Sequence, residues 1–233
     1  MKLAVMQPYF LPYLGYFQLM AAVDQFVLYD DVNFKKRGWI NRNRLLLNEK
    51  EHLFTAPLRA ASQNRRINEI ELQEDRVWRQ KLVRTIRQAY QQAPQFDAVY
   101  PLISDIVLFP ENNLSRYLKN GLARVKTYLG ISTKLIPSSG IYANAELKGE
   151  KRILDICRQA GATLYLNAAG GRDLYDSKTF RERGVTLRFL ESEPYVYRQQ
   201  GPVFYPSLSI MDVLMFNSPA EVKSQLSRVS LRE

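Results

Sequence analysis

Histidine and cysteine are nearly missing: the chain has one of each in 233 residues. Cys157 alone can form neither an intramolecular disulfide nor a cysteine-built metal cluster. A Ser-His-Asp triad, a Cys-His pair or a His-ligated zinc would each have to use His52. That residue lies in NEKEHLFTAP, read as the exposed end of a hairpin strand, so acid-base work falls to Asp, Glu, Tyr or Lys. Cys157 joins Ile153, Ile156 and Ala160 in one helical stripe and reads as core rather than nucleophile. No apolar run reaches the length of a membrane span. Between Lys2 and Gln7 stand only four apolar or neutral residues, too few for a signal peptide. The expected setting is the cytoplasm.

What is present points to a globular protein with an anionic partner. Hydrophobic residues make up 46% and aromatics 12%, enough for one sizeable core in a single α/β domain, 1–233. Net charge is +10, which suits nucleic acid, anionic lipid or phosphorylated small molecules. The run KKRGWINRNR, residues 35–44, holds five cations and no acid, interrupted by Trp39, Asn41 and Asn43. A second set, Arg76, Arg79, Lys81, Arg84 and Arg87, accompanies the apolar stripe Trp78, Leu82, Ile86 and Tyr90, which predicts a mostly solvated basic helix face.

Strand patterns fall at 2–6, 25–29, 133–136, 163–167 and 185–190, with a hairpin at 44–47 and 52–55. Helical patterns fall at 13–22, 75–92, 97–107, 112–129, 147–160 and 176–183, and two more follow Leu208, broken at Asn217-Ser218-Pro219. This order predicts a largely parallel central sheet with a helical insertion at about 74–130 and C-terminal helices.

Open parallel sheets bind ligands beyond the carboxyl ends of their strands. After the first strand come Gln7 and Tyr9, in a loop rich in proline and aromatics. After the second come Asp30, Asp31 and Asn33, then Lys35, Lys36, Arg37, Trp39, Asn41 and Arg42. Ser138 and Ser139 follow the third. Asn167, Gly170, Gly171 and Tyr175 follow the fourth. If these strands are parallel, the residues share one crevice, although Asp30-Asp31 also reads as a turn cap and the diglycine as a plain turn. Lys148 and Arg152 flank a helix start, where an anion would offset their poor fit to the dipole. Asp212, in LSIMDVLMF, reads equally as a functional carboxylate and as a cap partner of Ser209. HIGH-type nucleotidylyltransferases place His-x-Gly-His between the first strand and helix. Here the same place reads Tyr13-Leu14-Gly15-Tyr16, which keeps the glycine and loses both imidazoles.

Four stretches, MQPYFLPYLGYFQLM, YDDVNFKKRGWINRN, YLNAAGGRDLY and PSLSIMDVLMFNS, together resemble the WbqC-like protein family from Met1 to about Ser218. The resemblance implies a role in bacterial surface-polysaccharide, particularly O-antigen, biosynthesis. It also implies transfer of an aminoacyl group, glycine, to the amino group of an aminosugar. It supplies no site residues. Joined to the residue reading, it gives a nucleotide-linked aminosugar and an amino acid as substrates. ATP with Mg²⁺, or an aminoacyl-tRNA, would activate the carboxylate. Lys35, Lys36, Arg37 and Arg42 would meet phosphates. Asp30 or Asp31 would orient Mg²⁺ or take the amine proton. Trp39 or Tyr9 would stack on a ring. Two other readings stand beside it: a binding module for nucleotide-sugars or anionic glycans that does no chemistry, and a nucleic-acid-binding protein.

Overall fold

A computed structural model describes residues 1–233. β1 (Lys2–Met6) runs through a loop into α1 (Leu14–Ala21) and back to β2 (Gln25–Leu28). A hairpin, β3 (Arg42–Leu47) and β4 (Lys50–Thr55), and a short pair, β5 (Leu58–Arg59) and β6 (Glu71–Leu72), precede the helical insertion. The insertion comprises α2 (Val77–Tyr90), α3 (Phe96–Leu108) and α4 (Leu114–Tyr128). Then come β7 (Lys134–Ile136), α5 (Gly149–Ala160), β8 (Leu164–Ala168), α6 (Ser177–Glu182) and β9 (Thr186–Ser192). The chain closes with α7 (Ile210–Phe216), α8 (Pro219–Gln225) and β10 (Val229–Arg232).

Six strands form the main sheet in the order β10-β9-β8-β1-β2-β7. Every pair is parallel except β10 with β9. The chain winds outward from β1 to β2 and β7, then returns to β8 and β9 on the other side. This doubly wound order puts a topological switch point between β1 and β8.

Period-two alternation buries both faces. Leu3, Val5, Val27, Tyr165 and Leu187 meet α5 and α6 in a cluster of 14 buried residues. Ala4, Phe26, Leu28, Leu166 and Leu190 face the other way, into a cluster of 43 that also holds Phe17 of α1, Ile86, Val99 and Leu118 of the insertion, and Leu214 of α7. The insertion therefore packs on the sheet through a shared core. Cys157 is fully buried in the smaller cluster, and burial pushes its thiol up to about 12.

Expected and observed element ends differ by one or two residues for most elements, with two omissions. The β5–β6 pair is too short to show a period. β10 falls within the stretch after Leu208 read as two helices, but its VSLR pairs with β9 along an exposed sheet edge. Arg228–Glu193 and Arg232–Glu191 ion pairs lie beside it. The basic helix face also needs one correction. Arg79 is buried, stacked on Trp78 and Tyr117, and donates to the carbonyls of Val107, Phe109 and Glu111 at the end of α3. A cation there complements the helix dipole and satisfies its last acceptors. Arg76, Lys81, Arg84 and Arg87 are solvated as expected.

Candidate functional site

Sheet register fixes which residues share the carboxyl rim. Met6 pairs with Leu28, and Val27 with Ile136. Leu3 pairs with Tyr165, so Asn167 stands level with Val5. Gln7, Asp30, Ser138 and Asn167 thus leave four adjacent strands at one edge.

Asp30 and Asp31 share that edge but not a face, because successive residues of an extended segment point oppositely. Asp30 turns toward the insertion, where it accepts from Ser115 Oγ and Ser138 Oγ, each at 2.5 Å. Asp31 turns toward α5, where it accepts from Ser139 Oγ and from Arg152 Nη2. Arg152, only 2% exposed, also donates from Nε to Asn144 Oδ1 at 3.0 Å and lies over the Tyr29 ring at 5.0 Å. Asn144 in turn donates to Asp155 at 2.7 Å. The charge of Arg152 is therefore taken by Asp31, and the two rim carboxylates are separated by the sheet. On the Asp30 side lies a cavity of about 290 Å³ lined by polar residues and Pro137, among them Asn68, Asn113, Arg116 and Lys119. Arg116 pairs with Glu111 at 3.0 Å.

The aromatic-proline loop after β1 is fixed from several sides. Phe10 N–H donates to Trp39 O at 3.2 Å. Asn43 Nδ2 donates to Phe10 O and Leu11 O, and Ser209 Oγ to Leu11 O. Ile210 N–H donates to Pro12 O at 2.8 Å. These bonds hold Leu11 at φ +45, a conformation unfavourable for leucine. The aromatic content of the loop is therefore largely structural: Phe10 and Tyr16 are core residues, and Tyr16 OH is spent on Gln7 O at 3.0 Å. Burial raises the Tyr16 phenol well above its ordinary value. Tyr9 and Tyr13 are half-buried beside it, Tyr9 with its ring 5.6 Å from that of Tyr16.

Beyond Asp31 the basic loop is exposed. Asn33 bridges to Arg66, and Phe34 N–H donates to Arg65 O at 2.9 Å, so the loop around 62–66 adds two cations to Lys35, Lys36 and Arg37. Arg42 Nε donates to Gly38 O, while Arg42 and Arg44 lie over Trp39 at 5.9 and 5.4 Å. Asn41 is engaged with Ala56 O at 2.9 Å. No side-chain nitrogen of Lys35, Lys36, Arg37, Arg42, Arg65 or Arg66 lies within 4.0 Å of a carboxylate oxygen, although Arg66 N–H of the backbone donates to Glu69 Oε2 at 2.9 Å.

After β8, Asn167 is buried, and its Oδ1 accepts from Ala168 N–H at 2.7 Å. A Cβ on Gly171 would come within 3.0 Å of the Asn167 amide, which explains the glycine. Gly170 faces open space. Burial raises the Tyr175 phenol, while hydrogen bonds with Tyr165 and Asn167 act in the opposite sense. Lys148 is exposed before α5. His52 is exposed on β4.

Asp212 lies elsewhere, in the first turn of α7. It is fully buried and accepts from Tyr90 OH at 3.0 Å and Tyr197 OH at 2.7 Å, with no cation paired to it. Burial pushes its carboxyl up to about 6, against the pull of both phenols. The helix cap is made by Ser209 Oγ, which accepts from Met211 N–H at 3.3 Å.

Sequence reasoning passed over Ser115, Asn68 and Lys119. Ser115, Asn68 and Lys119 reach the rim from the insertion and the preceding turn, and no local pattern marks that approach. No group of three His, Cys, Asp or Glu side chains comes together. Both oxygens of Asp30 and of Asp31 are already engaged, so these residues do not form a ready Mg²⁺ site.

The arrangement defines a doubly wound α/β protein with a polar, cation-flanked rim at the end of the sheet where such folds take ligands. The chain belongs to the WbqC-like protein family, whose model matches residues 7–224. It is 33% identical over 228 residues to the uncharacterized protein Rv1507c of Mycobacterium tuberculosis (strain ATCC 25618 / H37Rv), with 97% of each chain covered. No solved structure matches it.

Proposed function

We propose that the chain is a transferase of bacterial surface-polysaccharide (O-antigen) biosynthesis that binds a nucleotide-linked aminosugar at this rim and moves an aminoacyl group, glycine, onto its amine. The observation that carries the reading is the set of six cations whose side chains have no carboxylate partner, on the loop leaving β2, at the start of β3 and on the 62–66 loop bridged to it, with a polar cavity at the carboxyl ends of β2 and β7. Phosphate oxygens answer both features: arginine gives bidentate contacts, and lysine a point charge. Trp39, 40% exposed, offers a ring face beside the same loop. Mg²⁺ would arrive with the phosphates and share Asp30 only after Ser115 or Ser138 moved away. Asp30, buried beside the polar cavity, is the rim carboxylate positioned to take the amine proton.

The test is incubation of the pure protein with nucleotide-linked aminosugars, glycine and either ATP with Mg²⁺ or charged tRNA, followed by sugar mass. A gain of one glycyl residue, lost in Asp30→Ala, supports transfer. Binding without any mass gain supports the second reading, a nucleotide-sugar binding module. One observation favours that alternative: every rim carboxylate oxygen is held by a hydroxyl or a guanidinium, and the only histidine and cysteine lie away from the rim.

A further inference from the structure

A second cavity, of about 280 Å³, opens between the first turn of α1, the end of β9 and the irregular segment 193–209. Connections of that length without regular structure are uncommon in compact domains and are often functional. Its walls are rings: Tyr13, Tyr195, Tyr197 and Phe204. Tyr195 and Tyr197 stack at 5.3 Å, and Phe204 meets Tyr197 edge-on at 5.6 Å. Two of these rings are pinned at their hydroxyls, Tyr195 to Asn217 Oδ1 at 2.6 Å and Tyr197 to Asp212 Oδ1 at 2.7 Å. The aromatic surface is fixed before any ligand arrives, which lowers the entropy cost of binding.

Two polar features of the wall are incomplete. Gln18 lines the cavity and is 1% exposed; its Nε2 donates to Gln225 O at 2.7 Å, while its Oε1 has no partner. A buried amide oxygen left so is costly and unusual. One turn earlier on the same helix, α1 begins without a side-chain cap: Tyr16 N–H is taken by Tyr13 O at 3.1 Å, while the N–H groups of Leu14 and Gly15, which line the cavity, have no partner within the protein. Leu14 and Gln18 are four apart and share a face. An acceptor and donors one turn apart call for a ligand whose neighbouring groups both donate and accept. Charge is absent from the requirement, because Glu193 at the cavity edge is already paired with Arg228 at 3.0 Å.

We propose that this cavity binds a monosaccharide ring. Adjacent hydroxyls can donate to Gln18 Oε1 and accept from the open α1 amides, while the C–H face of the ring lies against the tyrosines. A nucleobase also stacks on such rings, so it is the alternative occupant that the test must separate. The site is distinct from the cation-flanked rim: β9 and β2 are three strand spacings apart, about 14 Å. It does not rest on the transferase reading.

Saturation-transfer NMR with free glucose, glucosamine and N-acetylglucosamine, and with the free bases adenine and uracil for comparison, tests it. At least one sugar should receive transfer, and the free bases should not. Val196, 71% exposed, lines the cavity. Val196→Trp should abolish the signal and leave the unfolding midpoint unchanged. Gln18→Leu should weaken binding about three- to tenfold, the worth of one hydrogen bond. Replacing Lys35, Lys36 and Arg37 by alanine should leave sugar transfer intact even where nucleotide binding is lost. No transfer to any sugar, transfer to the free bases alone, or a signal that survives Val196→Trp would overturn the proposal.

Discussion

Replacing Asp212 by asparagine should remove a neutral-pH cost that the native fold carries. The carboxyl sits with no exposure among Tyr90, Tyr197 and apolar neighbours, and burial lifts it from 3.8 to about 6. A raised acid favours the folded state while protonated. Its contribution is fully present below the unfolded pKa and is lost as pH rises through the folded one. A shift of about two units corresponds to about 3 kcal/mol lost between acid and neutral pH. Roughly half of that, about 1.4 kcal/mol, falls between pH 5 and pH 8. Asparagine never ionises and can still accept one phenol. Urea unfolding of both proteins at pH 5 and pH 8 should therefore show the variant gaining about 1.4 kcal/mol relative to wild type at the higher pH. Parallel pH dependences in the two proteins would refute the reasoning, because they would mean that the Asp212 pKa is the same folded and unfolded.

Three further outcomes follow from named contacts. Arg152→Leu leaves Asp31 buried and unpaired, so it should cost about 3–5 kcal/mol in urea unfolding; the double change with Asp31→Asn should cost clearly less than the two single changes summed. Cys157, buried with its thiol pushed up to about 12, should resist a disulfide reagent in the native protein and react fully once urea unfolds it. Arg79→Leu should cost about 2–3 kcal/mol by leaving the carbonyls at the end of α3 without their donor, a loss that thermal unfolding would report.

The parallel sheet was legible because its signals are local and periodic. Leu3, Val5 and Val27 alternate with Ala4 and Phe26, and the stripe of Ile153, Ile156 and Cys157 marks a buried helix face. What stayed hidden depends on pairing at a distance. β10 is set by Leu231 facing Leu190 across an edge, and nothing in VSLR announces it. Asp30 and Asp31 were visible as a pair, but their division between Ser115 and Arg152 depends on which helix covers which face. Arg79 was placed in solvent by its neighbours on the helix, and the end of α3 drew it inward. Gln18 carried a faint signal, a lone amide inside the apolar stretch YFQLM. A polar residue at a buried helical position asks for a partner, and only the fold shows that one of its two polar atoms has none.

Calorimetric titration of nucleotide-diphosphate sugars into wild type and into the Lys35→Ala, Lys36→Ala, Arg37→Ala triple variant tests the central claim most directly. The account predicts a saturable heat with at least one such ligand in wild type, weaker at high salt and absent in the triple variant. Undiminished binding in the triple variant would contradict the placement of the anion site beyond β2, and the absence of binding in wild type would contradict the site itself.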